Sequence, residues 1–378
     1  MNPLARSRLR AAATALALSL AAACRSTTSA RPAEGAPALD VSADWRALVA
    51  LDLGATGIWT VEALDLFPQF GGREVVALDD LGRCHVLVQY ATKWTDLVAC
   101  GDGTWLGGTA HADLDPHLPG AELYVGAKSG NVYQVVAQRE GVTDARLVAN
   151  LAGQEVHALC ASQGDLLAFT SPGSLWRVAP SPGSARFDAR ELVPTRGRVR
   201  DVVVLPDGRI AAVSRAGELA VGDAGSIFDA GSVVLRVESG LGRVAAGGDG
   251  VLYAASDDGV VWRCEPRGGA WSSERIYAGP PGLRGLAVGR FSEPAPREEL
   301  AVFGYGARVE LLARAEDGSW SARTIFTDRD KGHWLRAAEL DQRNATDELV
   351  GSGYGGRVFV LARPPGYGLG ALAVPAIR

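Results

Sequence analysis

Lysine is almost missing from this chain of 378 residues: Lys93, Lys128 and Lys331 are the three among 38 basic side chains, and the rest are arginine. Basic and acidic residues are interspersed, no basic block occurs, and the formal charge is −5. A nucleic-acid partner is thereby excluded, since it would demand a cationic surface to displace counterions. The lysine deficit reads as a bias of composition. Long apolar runs are missing too; the one at 11–23 is too short to cross a bilayer, which takes about 20 residues as a helix. No G-x-S-x-G elbow, H-E-x-x-H pair or Walker loop occurs, which removes the usual signatures of serine hydrolases, zincins and P-loop enzymes. The five histidines, His85, His111, His117, His157 and His333, show no metal-ligand spacing. Charged residues make up only 21% of the chain, so it is no disordered polyelectrolyte.

What is present is a chain with 47% hydrophobic residues, 47 Gly and 19 Pro, without a G-X-Y period. Such punctuation favours many short strands joined by turns. Residues 1–23 read as an export signal, with Arg6, Arg8 and Arg10 ahead of the apolar run. The stretch Leu20-Ala21-Ala22-Ala23-Cys24 resembles a bacterial lipoprotein lipobox, which implies acylation of Cys24 and a membrane anchor. Its Leu lies one place further from the Cys than that pattern prefers, and Ala21 and Ala23 also satisfy the A-x-A rule of ordinary cleavage. Residues 24–42 are small, polar and Pro-containing and read as a flexible tether. Removing the signal takes away three Arg and no acid, leaving a formal charge of −8.

The remainder, 43–378, repeats. "EVVALDDLGRCHVLV" from Glu74, "ELYVGAKSGNVYQVV" from Glu122, "ELAVFGYGARVELLA" from Glu299 and "ELVGSGYGGRVFVLA" from Glu348 share one pattern. "DLLAFTSPGSLWRVA" from Asp165, "RIAAVSRAGELAVGD" from Arg209 and "VLYAASDDGVVWRCE" from Val251 follow it more loosely. Eight residues into each copy stands a Gly, replaced only once, by Ala307. Two places later stands an apolar residue, Cys84, Val132, Leu175, Leu219, Val261, Val309 or Val358. The reading is a strand, a tight turn needing positive φ, and a second strand entering the core. The Gly columns lie 42 to 49 residues apart, and 43–378 divides into seven repeats of 48. Such a period suits four strands per repeat. The expected fold is all-β, a β-propeller of seven four-stranded blades, with the stretch "DWRALVALDL" (44–53) available as a strand that closes the ring against the last repeat.

The pattern "ADLD…ELYVG…G-x-V" resembles the FG-GAP/VCBS propeller repeats, best in repeats two, six and seven. In that family the loop after the first strand can carry D-x-D-x-D-G for calcium. Here Asp113 and Asp115 are followed by Pro116, His117 and Leu118, and the seventh repeat offers only Glu339, Asp341 and Asn344. Both sets are incomplete against the oxygen count calcium needs. The expectation is no metal and no other cofactor, with the carboxylates capping turns.

Propeller ligands meet the mouth of the central channel. The segments "TAHAD", "EVHAL", "RVRDV", "LGRVA", "GLRGL" and "GHWLRA" lead into the innermost strands and supply His111, His157, Arg200, Arg243, Arg284, His333, Trp334 and Arg336. This cationic and aromatic set on an acidic chain is suited to an anionic or sugar ligand, unless the arginines pair with acids such as Asp201. Trp176, Trp262 and Trp320 are assigned to packing between sheets. The functional expectation is a monomeric, exported, membrane-anchored module that binds a protein or glycan. Two alternatives stand beside it: a propeller enzyme of lyase, hydrolase or quinone-dependent dehydrogenase type, and an accessory protein of outer-membrane assembly. Cys84 and Cys100 lie equidistant from Thr92 in a hairpin and are candidates for a bridge; Cys160 and Cys264 fall in non-adjacent repeats and are expected to stay free.

Overall fold

A computed structural model describes residues 40–364, apart from 69–71, 91–92, 140–141, 196, 294–298 and 341–344. The signal segment, Cys24, nearly all of the tether, and Asp341, Asn344 and Thr92 lie outside the described residues.

Seven antiparallel sheets follow one another along the chain. Blade 1 comprises Ile58–Leu64, Glu74–Asp79, Arg83–Tyr90 and Lys93–Gly101, from the innermost strand outward. Blades 2 to 5 repeat this order, with inner strands Leu106–Ala112, Glu155–Ser162, Val199–Val204 and Leu241–Ala246. Blade 6 begins at Leu283–Gly289 and gains a fifth strand, because Asp40–Val41 pair with its outer strand Trp320–Thr327. Blade 7 takes three strands from the C-terminal end, Gly332–Ala338, Glu348–Gly353 and Arg357–Ala362; its outer strand is Arg46–Asp52 from the other end of the chain. The ring is thus closed by the stretch the sequence offered for it. Closure removes open sheet edges between first and last blade.

Each interface between neighbouring blades holds one apolar cluster, seven in all among the described residues. Between blades 6 and 7 the rings of Phe303 and Phe359 meet edge to face at 5.4 Å, and Phe326 lies 4.6 Å from Phe359. Truncating one such buried ring costs about 3–5 kcal/mol. Trp176, Trp262 and Trp320 pack, partly buried, against three of these clusters, as expected of blade aromatics.

The Gly column has a double cause, seen at Gly130. Its φ is +85°, and a Cβ there would lie 2.8 Å from Gly153 Cα and 2.9 Å from Gln154 N, in the segment that leads to blade 3. The turn therefore requires both left-handed backbone and the absence of a side chain. Ala307, the one replacement, adopts φ +57° regardless.

Candidate functional site at the upper mouth of the channel

Every innermost strand carries a β-bulge at the same place. Pairing with the second strand slips between Ile58 and Thr60, Leu106 and Gly108, Val156 and Ala158, Val199 and Asp201, Leu241 and Arg243, Leu283 and Gly285, and Gly332 and Trp334. The extra residues are Trp59, Gly107, His157, Arg200, Gly242, Arg284 and His333, in order around the ring. A bulge leaves one residue out of the ladder and re-aims its side chain. Here seven bulges surround the end of the channel at which the inner strands begin, the upper mouth.

A second column completes it. The residue two places before each turn Gly is Asp80, Lys128, Ser171, Arg215, Asp257, Tyr305 or Tyr354. Together with Trp105, two places before Gly107, the columns form a nearly continuous chain of contacts. His157 stacks on Trp105 at 5.1 Å and Trp105 on Trp59 at 5.6 Å. Trp59 meets His333 at 4.7 Å, His333 meets Tyr354 at 5.0 Å, and Tyr354 meets Tyr305 at 5.9 Å, with hydroxyls 3.2 Å apart. The Arg284 guanidinium lies 5.1 Å from the Tyr305 ring and pairs with Asp257, which Arg200 grips at 2.8 and 2.9 Å. Trp59 donates its indole N–H to Asp80. Two glycines make room: a Cβ on Gly107 would lie 2.2 Å from Trp105, and one on Gly240 would lie 2.7 Å from Asp257 and 2.9 Å from Arg200 Nη1.

Below this ring the channel narrows. Arg243, 3% exposed, donates to the carbonyls of Gly242 (2.7 Å) and His333 (3.0 Å) and lies 3.5 Å over the Trp334 ring. Arg336 covers the same ring at 4.9 Å and is held by Glu62 at 2.9 Å and Asp201 at 3.2 Å. Despite burial, Glu62 and Asp201 strengthen Arg336's hold on its proton. Burial, and the neighbouring Arg336, Arg284 and Arg200 against the opposing Asp201, pull Arg243 below the usual arginine range. Beneath this neck the channel opens again into a cavity of about 600 Å³ with largely aliphatic walls.

The two mouth histidines are neutral. Burial, aided by the Arg198 charge, pushes His157 down to about 3; its Nε2 lies 3.4 Å from Glu155 without hydrogen-bond alignment. His333 sits well below the usual histidine range through burial and the Arg243 charge. In that form its Nδ1–H donates to the Trp59 carbonyl at 2.8 Å, so Nε2 keeps its lone pair.

Of the eight residues predicted for one mouth, His157, Arg200, Arg284 and His333 occupy bulges there, and Arg243 and Trp334 lie one step below. Arg336 belongs to the neck and also borders the lower cavity. His111 is not brought to this mouth; it stands exposed near the far end of its strand, on the rim of the lower cavity with Asp65 and Arg73. The expectation of arginine–acid pairing holds for Arg200, Arg284 and Arg336 and fails for Arg243. Trp59, Trp105, Arg198, Tyr305 and Tyr354 were not singled out; the position two before the turn Gly, aromatic in blades 6 and 7, was the available signal for the tyrosines.

The aspartates of the second repeat are architectural. Asp115 is buried, accepts the His117 N–H at 3.0 Å and pairs with Arg146, while Asp113 is exposed. The loop is organised instead by the Glu that opens the second strand. Glu122 accepts the N–H groups of Leu114 and Asp115 at 3.2 and 3.4 Å. Glu74 does so for Leu66 and Phe67 (2.8 and 3.1 Å), Glu299 for Phe291 and Ser292 (both 2.7 Å), and Glu348 for Leu340 (2.8 Å). Among the described residues no three His, Cys, Asp or Glu side chains gather to hold a metal ion.

Cys84 and Cys100 are directly opposed, as the hairpin count foresaw, and stand as free thiols beside free Cys160 and Cys264. Pairing outward from Tyr90 and Lys93 would set Cys84 against Ala99; a bulge at Ala99 restores the opposition.

No protein-family model matches the chain, and no curated protein does. Solved structures are similar in fold. The WD40 β-propeller domain of Doa1 aligns with a TM-score of 0.62 at 13% identity, over 86% of this chain and 99% of that one. The β-propeller domain of Cps50 (Swd1) from Myceliophteria thermophila gives 0.59 at 12%, over 84% and 99%. A catalytically inactive virginiamycin B lyase from Staphylococcus aureus, with quinupristin, gives 0.59 at 11%, also over 84% and 99%. At such identities the likeness is one of fold, that of a seven-bladed β-propeller.

Proposed function

We propose that this chain is an exported β-propeller of FG-GAP/VCBS type, anchored through a lipid on Cys24, that binds a protein or glycan at its upper mouth without transforming it. The observation that carries the binding reading is the half-buried aromatic shelf of Trp59, Trp105 and Tyr354, with the more exposed Tyr305. Aromatic rings held by stacking rather than sunk in the inter-blade clusters favour ligand contact over core packing. Kinship with FG-GAP/VCBS repeats finds support in the four glutamate-capped loops. Export and anchoring rest on the basic, apolar and Cys24 pattern of the leader.

The test is capture from glycan arrays and envelope extracts by the full chain, compared with the Trp59→Ala, Trp105→Ala double variant. Loss of capture with unchanged thermal stability supports the reading; unchanged capture refutes it. Palmitate labelling lost in Cys24→Ala checks the anchor. The enzyme alternative has one group in its favour, the neutral His333 with its free Nε2 lone pair. Its Nδ1 is oriented by a carbonyl and not by a carboxylate, so it lacks the charged partner that would stabilise an imidazolium. A lyase, hydrolase or dehydrogenase reading requires turnover that His333→Gln abolishes.

A further inference from the structure

The cavity beneath the neck is walled by strand edges. Residues 62–64, 109–111, 159–161, 202–204, 244–246 and 286–288 line it, three in succession from each of six inner strands. Neighbouring residues of a strand point to opposite faces, so a surface that meets all three meets the backbone edge between them. Each of these strands is the terminal strand of its sheet, and its channel-side edge has no ladder partner among the described residues. Free edges flanked by Val, Leu and Ala side chains make a double demand. Water would satisfy the N–H and C=O groups but leave the aliphatic faces wet, whereas an alkyl chain would cover the faces and leave the backbone groups unsatisfied. An extended peptide with small apolar side chains meets both demands.

The chain itself carries such a segment. Residues 369–374, LGALAV, hold no charged or polar side chain; they lie outside the described residues, which end at Pro364. The last strand brings the chain to the right end of the channel. Leu361 is opposite Leu349, and Leu349 is opposite Ala337 on the cavity wall. Leu361 thus stands two strand spacings, about 10 Å, from the cavity. The 14 residues after Pro364 span about 46 Å when extended, which covers the distance several times over. Above, Arg336 tied to Glu62 and Asp201 closes the cavity, so entry is from below, where Asp65, Arg73 and His111 stand on the rim. We infer that residues 369–374 enter the channel from below and add as a strand to the free edge of an inner strand. The cavity is then a receptor for a small apolar β-strand, filled by the chain's own segment and open to a peptide of the same chemistry when that segment is withdrawn.

The test uses the full chain with a diazirine analogue of leucine at position 372, photolysed and mapped by mass spectrometry. Cross-links are expected on the inner strands of blades 2 to 6, and Ala161→Trp, which fills the cavity, should cut their yield at least fivefold. Cross-links on outer strands, on the upper mouth or to a second copy of the chain, or none at all, overturn the inference. A second measurement does not depend on Ala161→Trp folding. A fluorescein-labelled peptide of residues 368–376 should bind the Ala371→Asp, Ala373→Asp double variant tenfold or more tightly than the unchanged chain, whose own segment competes at high effective concentration. Equal affinity for the two proteins, or binding to neither, overturns the inference as well.

Discussion

Glutamate 74 offers a quantitative check on the loop caps. Its carboxyl is 2% exposed, and its Oε2 accepts the N–H groups of Leu66 and Phe67. Burial pushes its pKa from an ordinary 4.5 to about 7, against the pull of those two donors and with a contribution from Asp65. The folded chain therefore binds more protons than the unfolded chain between these values. Stability from this group is full below pH 4.5 and is lost as pH rises through 7. A gap of about two and a half units corresponds to about 3 kcal/mol. Glu74→Gln keeps an oxygen for both N–H groups and carries no charge, so it lacks this slope. The measurement is urea unfolding followed by tryptophan fluorescence at pH 4.5, 6, 7 and 8, taken as the difference between wild type and variant, in which all other titrations cancel. Wild type should lose about 3 kcal/mol relative to Glu74→Gln across this range. A difference that is flat, or that moves in favour of wild type as pH rises, refutes the buried-cap account.

Buried His85 lies between Asp96 (2.9 Å) and Asp79 (3.3 Å). Burial disfavours its charge, but the two carboxylates outweigh that and raise its pKa; its stabilising contribution is full below pH 6.5 and fades above, a decline that should vanish from melting curves of His85→Asn. Gly130→Ala meets both positive φ and backbone at 2.8 Å, whereas Gly54→Ala, at φ +66° with nothing within 4 Å, meets the first alone; unfolding free energies should fall by about 3 kcal/mol or more and about 1 kcal/mol respectively. For the cysteines, thiol titration of the denatured chain should count two fewer thiols after mild oxidation than before, with no loss in Cys84→Ala; the hydrogen bond with Cys100, and then burial, hold the Cys84 thiol well above its usual range, so oxidation is expected to be slow.

The ring was legible because its causes are periodic. A Gly that must take positive φ against a neighbouring backbone, an apolar residue two places on, and a spare strand at 44–53 leave marks at fixed intervals. The bulges left none, since Trp, Gly, His, Arg, Gly, Arg and His share no chemistry; only backbone pairing reveals that these positions are equivalent. His111 was misplaced for a related reason. From the bulge to the residue opening the second strand is 15 residues in blades 1, 2, 6 and 7 and eight or ten in blades 3 to 5. The longer step holds the glutamate-capped loop, and His111, 11 residues before Glu122, falls near its base instead of at the mouth. Acid partners were equally hidden, because Asp257 reaches Arg200 and Arg284 from the turn of the blade between them.

That last arrangement shows where function separates from architecture in this fold. Seven copies of one bulge and one turn supply fourteen positions at a single level, fixed by backbone geometry that the Gly column and the inter-blade clusters already stabilise. Side chains at those positions lie outside the strand ladder and differ from blade to blade while the backbone repeats. Tyr354, His333, Trp59 and His157 stand over blades 7, 1 and 3, Arg200, Arg215 and Arg284 over blades 4 and 6, and glycines at 107 and 242 where a neighbour needs the space. A mouth serving only to close the channel would need none of this asymmetry, since any well-packed ring of side chains would suffice. The mouth is thereby unequal around the ring, its aromatic rings gathered from Tyr354 through Trp59 and Trp105 to His157 and its arginines from Arg198 and Arg200 to Arg284.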